Sequence, residues 1–180
     1  MKLTLNWVRI GGPWLLAPFY FLLARPSASS LLLGTMIALP GLLLRAWAAG
    51  TIRKNSVLTT GGPYAYLRNP LYAGNFLLAV ALGVAAGRIQ VLIALLILFV
   101  VVYGLTIRRE ERRLEGLFGD AYRDYARNVP AFFPRLRPYR NGTVPATQFS
   151  FHRYFRGREY RAALGTLFVC LLLAAKLLLR

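Results

Sequence analysis

Residues 71–107 read LYAGNFLLAVALGVAAGRIQVLIALLILFVVVYGLTI. Two apolar runs, Leu71 to Ala86 and Ile89 to Ile107, are separated only by Gly87-Arg88, so they must return antiparallel as a helical hairpin. A helix needs about 20 mostly apolar residues to cross a bilayer, with a range of roughly 17 to 25. Three further runs have similar character. Trp7 to Ala24 carries Arg9 and is interrupted by Pro13 and Pro18, and its prolines and lack of a small-residue cleavage pattern argue against a removed signal peptide. Ser30 to Ala49 contains Pro40-Gly41, the one place where it would bend, and Ala162 to Leu179 ends with Lys176 and Arg180 placed to snorkel outward. With 57% apolar and 16% charged residues, the composition is that of a membrane protein. The expected fold is all-α: a polytopic integral membrane protein with about five transmembrane helices, a cytoplasmic amphipathic helix and one membrane domain over residues 1–180.

Charge sets the expected orientation. Arg25, Arg88, Lys176 and Arg180 fall at one face, and the other 19 of the 23 basic residues fall at or near the opposite one, which the positive-inside rule makes cytoplasmic. The N-terminus is expected inside and the C-terminus outside. A net charge of +17 then reads as a basic surface facing anionic lipid headgroups, each nearby Lys or Arg contributing about 1 kcal/mol. Nucleic acid is not expected as a partner, because the aromatic residues lie in apolar runs rather than interleaved with the basic ones. Cys170 is the only cysteine and sits within the last apolar run, so no internal disulfide and no cysteine metal site are expected. No internal repeat points to a transporter built from duplicated halves.

Two stretches outside the apolar runs carry chemistry, and both are expected on the cytoplasmic side. The first, Gly62 to Gly74, reads GPYAYLRNPLYAG; Thr59-Thr60-Gly61-Gly62-Pro63 is turn chemistry, and Pro70 opens the next helix at a position where proline is tolerated. The free N–H groups at that helix start favour an anion. The second, Glu110 to Pro130, reads EERRLEGLFGDAYRDYARNVP and holds five of the six acidic residues of the chain. Its apolar positions Leu114, Leu117, Phe118, Ala121, Tyr122 and Tyr125 form one stripe of a 3.6-residue helix running on from the fourth apolar run, its outer half expected along the membrane surface. Beyond Asn128, prolines and glycines mark a loop, and Asn141-Gly142-Thr143 fits a glycosylation pattern that a cytoplasmic position leaves unmodified.

Because the hairpin is tight, the cytoplasmic ends of its helices lie roughly 8 to 10 Å apart between axes, which brings Arg68 toward Glu110 and Glu111. An arginine fork holds a carboxylate, a carboxylate holds an ammonium or a ribose hydroxyl, and tyrosine faces attract cations. S-adenosylmethionine needs all of these together.

The two stretches resemble the signature segments of the membrane methyltransferases that include isoprenylcysteine carboxyl methyltransferase and the phospholipid N-methyltransferases. In that family the first segment is approximately GPY, a few residues, then R-(H or N)-P-x-Y-x-G, and the second has a Glu-Glu pair, FG, a tyrosine repeat and a proline. The resemblance covers about Thr59 to Pro134, leaving an accessory segment of about 149–180. It implies an S-adenosylmethionine site formed by Arg68, Asn69, Pro70, Tyr72, Gly74, Glu110 and Glu111, with Pro63 and Tyr64 shaping the turn. Arg68, Glu110 and Glu111 are the implied catalytic residues. The carboxyl methyltransferases usually have histidine where this chain has Asn69, so the acceptor implied is a phospholipid amine or another lipid-linked group, with a prenylcysteine-type carboxylate as the alternative.

Arg45 and Asn75 are candidate acceptor contacts; the alternatives are snorkelling for Arg45 and interhelical hydrogen bonding for Asn75. Ala79, Gly83 and Gly87 form a small-residue ridge suited to close helix approach. His152, the only histidine, lies in an interfacial segment and reads as lipid-facing. Two readings of other classes are a non-catalytic lipid-binding protein and a membrane reductase, the latter without a glycine fingerprint for a nicotinamide cofactor.

The charge division predicts a labelling pattern. In a Cys170→Ala background, Asn141→Cys should react with an impermeant thiol reagent from the cytoplasm and Arg88→Cys only from outside. Reaction of both from the same side would overturn the five-span topology.

Overall fold

The computed structural model describes residues 12–53, 56–140 and 148–179. Among these it is helical, without strands: α1 (Gly12–Leu23), α2 (Ala28–Thr51), a single 3-10 turn (Gly62–Ala65), α3 (Pro70–Ala85), α4 (Ile89–Phe118), α5 (Asp120–Asn128), α6 (Phe151–Arg156) and α7 (Tyr160–Leu178). The start of the first expected span (7–11) and the Asn141–Thr143 pattern lie outside the described residues. Three helices, α2, α4 and α7, are long and apolar enough to cross a membrane, and α3 is a shorter apolar helix of 16 residues. Leu32, Met36 and Leu39 on α2, Ile93, Ile97 and Val101 on α4, and Leu164, Phe168 and Leu171 on α7 all point outward and exposed. This is the outer surface of a protein whose solvent is lipid.

Several helix ends have a clear local cause. Ser27 caps α2 through a reciprocal pair in which the Ser30 amide donates to the Ser27 hydroxyl at 3.1 Å and the Ser27 amide donates to the Ser30 hydroxyl at 2.9 Å. Pro70 occupies the first turn of α3, where its missing N–H costs nothing. α4 runs 30 residues without a break, about 45 Å at 1.5 Å per residue. A hydrocarbon core is roughly 30 Å thick, so the polar end of α4 projects well beyond it. Gly119, at φ +53°, ends the helix and redirects the chain into α5.

Among the described residues, Arg25, Arg88 and Lys176 lie at the hairpin end. At the hairpin end, the Arg25 amide donates to the Ala86 carbonyl at 2.7 Å, the Lys176 ammonium donates to the Phe21 carbonyl, and Ala24, Ala85, Ala86, Val91 and Leu173 pack together. The opposite, arginine-rich end holds the chemistry-bearing stretches.

α2 and α3 form the closest helix pair because small residues face each other. A Cβ on Gly34 would lie 2.7 Å from the Ala81 carbonyl oxygen, and one on Gly74 would lie 2.9 Å from the Gly41 carbonyl oxygen. The ridge expected over Ala79, Gly83 and Gly87 serves differently: Gly83 abuts Leu92 of α4, and Gly87 makes the hairpin turn at φ +66° under the Arg25 carbonyl. α3 has close neighbours on two sides, and its α2-facing side is lined by Gly74, Leu78, Ala81 and Ala85.

Gly34→Ala should therefore destabilise the detergent-solubilised protein by roughly 1 to 3 kcal/mol through overpacking. Gly104→Ala, with nothing within 4 Å of its added Cβ, should be neutral or stabilising by up to about 1 kcal/mol. Unfolding titrations of the two variants compare them directly.

Candidate functional site

At the arginine-rich end, the chain after the 3-10 turn is held by a strap from much later in sequence. The Arg68 amide donates to the Pro130 carbonyl at 2.9 Å, the Arg135 amide to Tyr66 at 3.0 Å and the Tyr139 amide to Ala65 at 2.9 Å. The turn itself requires Gly62, which sits at φ +59° with Thr51 methyl and hydroxyl atoms 2.9 and 3.0 Å from where a Cβ would be.

Within this frame Arg68 is a bridge. Its guanidinium pairs with Glu111 at 3.1 Å and donates to the Ala126 carbonyl at 3.2 Å, near the negative end of the α5 dipole. Asn69 donates to Glu111 at 3.4 Å and to the Ala131 carbonyl at 3.1 Å, and the Tyr72 hydroxyl donates to Glu110 at 2.7 Å. Arg68, Asn69, Tyr72 and the glutamate pair are thus brought together as the hairpin argument required.

A cavity of about 220 Å³ opens beside this cluster, bordered by Tyr64, Arg68, Asn69, Tyr72, Glu110 and Tyr122 among others. Glu111 is not on its wall. Successive helical residues point about 100° apart, so Glu110 faces the cavity while Glu111 turns behind Arg68. Three polar atoms at the cavity, Tyr64 Oη, Arg68 Nε and Tyr122 Oη, are buried without a hydrogen-bond partner, a cost of about 1 to 3 kcal/mol each that a ligand would relieve. Burial pushes the Tyr64 and Tyr125 phenols well above their ordinary range and Tyr122 up to about 12, so all three remain neutral donors at physiological pH. Tyr125 uses its proton to bond the Tyr64 carbonyl at 2.7 Å.

The expectation for α5 changes in one respect. Tyr122 and Tyr125 turn inward against Leu58 and Val129, while Leu117 is exposed. Leu114 and Phe118 pack against the same cluster, so the stripe continues across Gly119 but without Leu117 and Ala121, which are exposed.

Arg45 and Asn75 meet in a second cluster. The Arg45 guanidinium donates to the Asn75 side-chain oxygen and to Glu159, and the ion pair is largely buried, with side chains 15% and 17% exposed. Gly74 borders this cluster rather than the cavity, leaving room for the Arg45 stem. Glu159 was missed in the sequence reading, although one signal was available: it is the only acidic residue outside 110–130, set within the basic run HRYFRGREYR. Arg153 adds to the docking of this segment by donating to the Gly50 carbonyl at 2.8 Å. Among the described residues no group of three or more His, Cys, Asp and Glu is placed to hold a metal ion.

The family model for phospholipid methyltransferase matches residues 30–121, half of the chain. The chain belongs to the phospholipid methyltransferase family. The match begins earlier than the resemblance at Thr59, taking in α2 and Arg45, and it stops before α6 and α7. Three relatives of this phospholipid methyltransferase family member are informative. The cobalt-zinc-cadmium resistance protein CzcN of Cupriavidus metallidurans is 41% identical over 111 residues, 61% of this chain and 50% of its own length. The nickel-cobalt-cadmium resistance protein NccN of Alcaligenes xylosoxydans xylosoxydans is 40% identical over 112 residues, 61% and 51% of the two chains. Protein-S-isoprenylcysteine O-methyltransferase of Schizosaccharomyces pombe is 34% identical over 84 residues, 46% and 35%. The chain thus matches about half the length of the first two.

Glu159→Gln keeps the shape but leaves the largely buried Arg45 charge uncompensated. It should destabilise the protein by roughly 1 to 3 kcal/mol, between the surface and fully buried limits, and speed tryptic cleavage between Arg153 and Arg161. Unchanged stability and cleavage would show that the pair does not dock α7.

Proposed function

We propose that this protein transfers a methyl group from S-adenosylmethionine to a lipophilic acceptor at the cytoplasmic face of the membrane. The observation that carries the reading is the convergence of Arg68, Asn69, Tyr72 and Glu110 on one cavity, within the segment that matches the phospholipid methyltransferase family. The residues fit the cofactor: orphaned donors on Tyr64, Arg68 and Tyr122 suit its carboxylate and hydroxyls, and the tyrosine faces suit its ammonium and sulfonium. When bound, S-adenosylmethionine supplies an activated methyl group on a cationic sulfur.

The remaining work belongs to the protein. Arg68, anchored by Glu111 and the Ala126 carbonyl, offers its buried Nε at a fixed position. Tyr64, Leu58 and Tyr125, all buried, keep the inner wall dry, which favours a displacement in which charge is lost, and holding the reactants in line supplies much of the rate. Glu110 is the carboxylate exposed to the cavity, and the Tyr72 hydroxyl fixes one of its oxygens. An amine acceptor must shed a proton before it can attack, and Glu110 is placed to take it; a carboxylate acceptor needs no base. Asn69 favours the amine branch, and the isoprenylcysteine relative keeps the carboxylate branch as the alternative. Acceptor tails would enter sideways between helices.

Arg68→Ala should weaken S-adenosylmethionine binding by about 1.5 to 3 kcal/mol, the range for a hydrogen bond to a charged group, as read by calorimetry on the folded variant. Glu110→Gln should lower turnover on an amine lipid most at low pH, where the acceptor is protonated, while cofactor affinity stays within a few-fold. Normal binding by Arg68→Ala would show that Arg68 is only a surface charge, whereas no binding by the wild type would remove the cofactor reading. Activity confined to prenylcysteine would move the acceptor to the carboxylate branch.

A further inference from the structure

A second concavity lies on the far side of the Arg68–Glu111 pair. It is an open groove of about 420 Å³ between the projecting end of α4 and α5. Helical spacing builds its walls: Arg108, Glu111, Arg112 and Glu115 recur on one face of α4, and Tyr122, Arg123 and Arg127 face them from α5. Glu111 is compensated by Arg68 at 3.1 Å, while Glu115 reaches Arg123 only at 3.9 Å, that arginine being held mainly by Asp120 at 2.6 Å. Arg108, Arg112 and Arg127 have no ion-pair partner among the described residues. Three uncompensated guanidinium groups therefore surround a concave surface. Its floor is the wall shared with the cavity, and there Tyr122, only 5% exposed, carries a buried hydroxyl without a partner.

We propose that this groove is a binding site for a phosphoryl group, held by Arg108, Arg112 and Arg127. Guanidinium forks match the paired oxygens of a phosphate, and several converging on one concavity give a specificity that a flat charged face lacks. The phosphate of an anionic lipid headgroup and free phosphate in solution share this chemistry. A diffuse basic surface would attract anionic lipid in proportion to its total charge; a groove depends on which arginines are present. The inference does not rest on methyl transfer, and its test needs no cofactor.

The full-length protein in uncharged detergent is titrated calorimetrically with dioctanoyl phosphatidic acid and, separately, with inorganic phosphate. The wild type is compared with the triple variant R108Q/R112Q/R127Q and with R137Q/R140Q/R156Q, which removes the same charge from exposed positions elsewhere. The groove triple should lose roughly tenfold or more in affinity, as expected for deleting hydrogen bonds to a charged ligand, while the control stays within about twofold. Groove-dependent binding of the lipid alone identifies a headgroup site, and groove-dependent binding of inorganic phosphate identifies a site for the free anion. Equal losses in both triples, an unaffected groove triple, or no binding of either probe by the wild type would overturn the proposal.

Discussion

The Arg68–Glu111 ion pair is the contact on which the arginine-rich end depends. It joins the segment before α3 to α4, and through the Ala126 carbonyl it reaches α5 as well. A chain with 23 basic and six acidic residues has strong self-repulsion at that end, so each half-buried carboxylate acts where a substitute is hard to find. Glu111 neutralises one half-buried arginine and Glu159 another. Removing one partner of such a pair costs far more than the pair contributes, because a charge is left in a poorly solvated place.

α3 distributes these contacts along one face. Asn69, Tyr72 and Asn75 are three residues apart, and they reach Glu111, Glu110 and the Arg45–Glu159 pair respectively. The cavity and the Arg45 cluster are consecutive turns of one polar seam, from the membrane surface toward the helix interior. Closely packed glycines on the α2 side fix the rotation of α3 and so aim the seam.

Much of this was legible in the sequence. The length of an apolar run is a one-dimensional property, and the helix bounds of α2, α3 and α7 fall within two residues of the runs read from it. The tight Gly87-Arg88 turn gave the antiparallel hairpin, and the hairpin gave the meeting of Arg68 with the glutamates. The separate roles of Glu110 and Glu111 were not legible, because which of two successive α4 residues faces the cavity depends on the rotation of α4 against its neighbours. The strap from Val129 to Tyr139 is tied in register by the backbone groups of Arg68, Arg135 and Tyr139, which leave no side-chain pattern. Glu159 stood out by composition, but only the docking of α7 shows that its partner is Arg45, more than a hundred residues earlier.

The uninterrupted length of α4 has a mechanical consequence. Its 30 residues form one rod, with the hydrocarbon-embedded half and the carboxylate-bearing half rigidly continuous, while the partner α3 is only 16 residues long, about 24 Å. A rod longer than the local bilayer adapts by tilting and a shorter one by thinning the lipid around it. It is the apolar run that must match the bilayer, and that of α4, Ile89 to Ile107, is about 28 Å long. Both members of the hairpin therefore fall at or just short of a hydrocarbon core of roughly 30 Å, while the carboxylates ride on the part of the rod that stands clear of it.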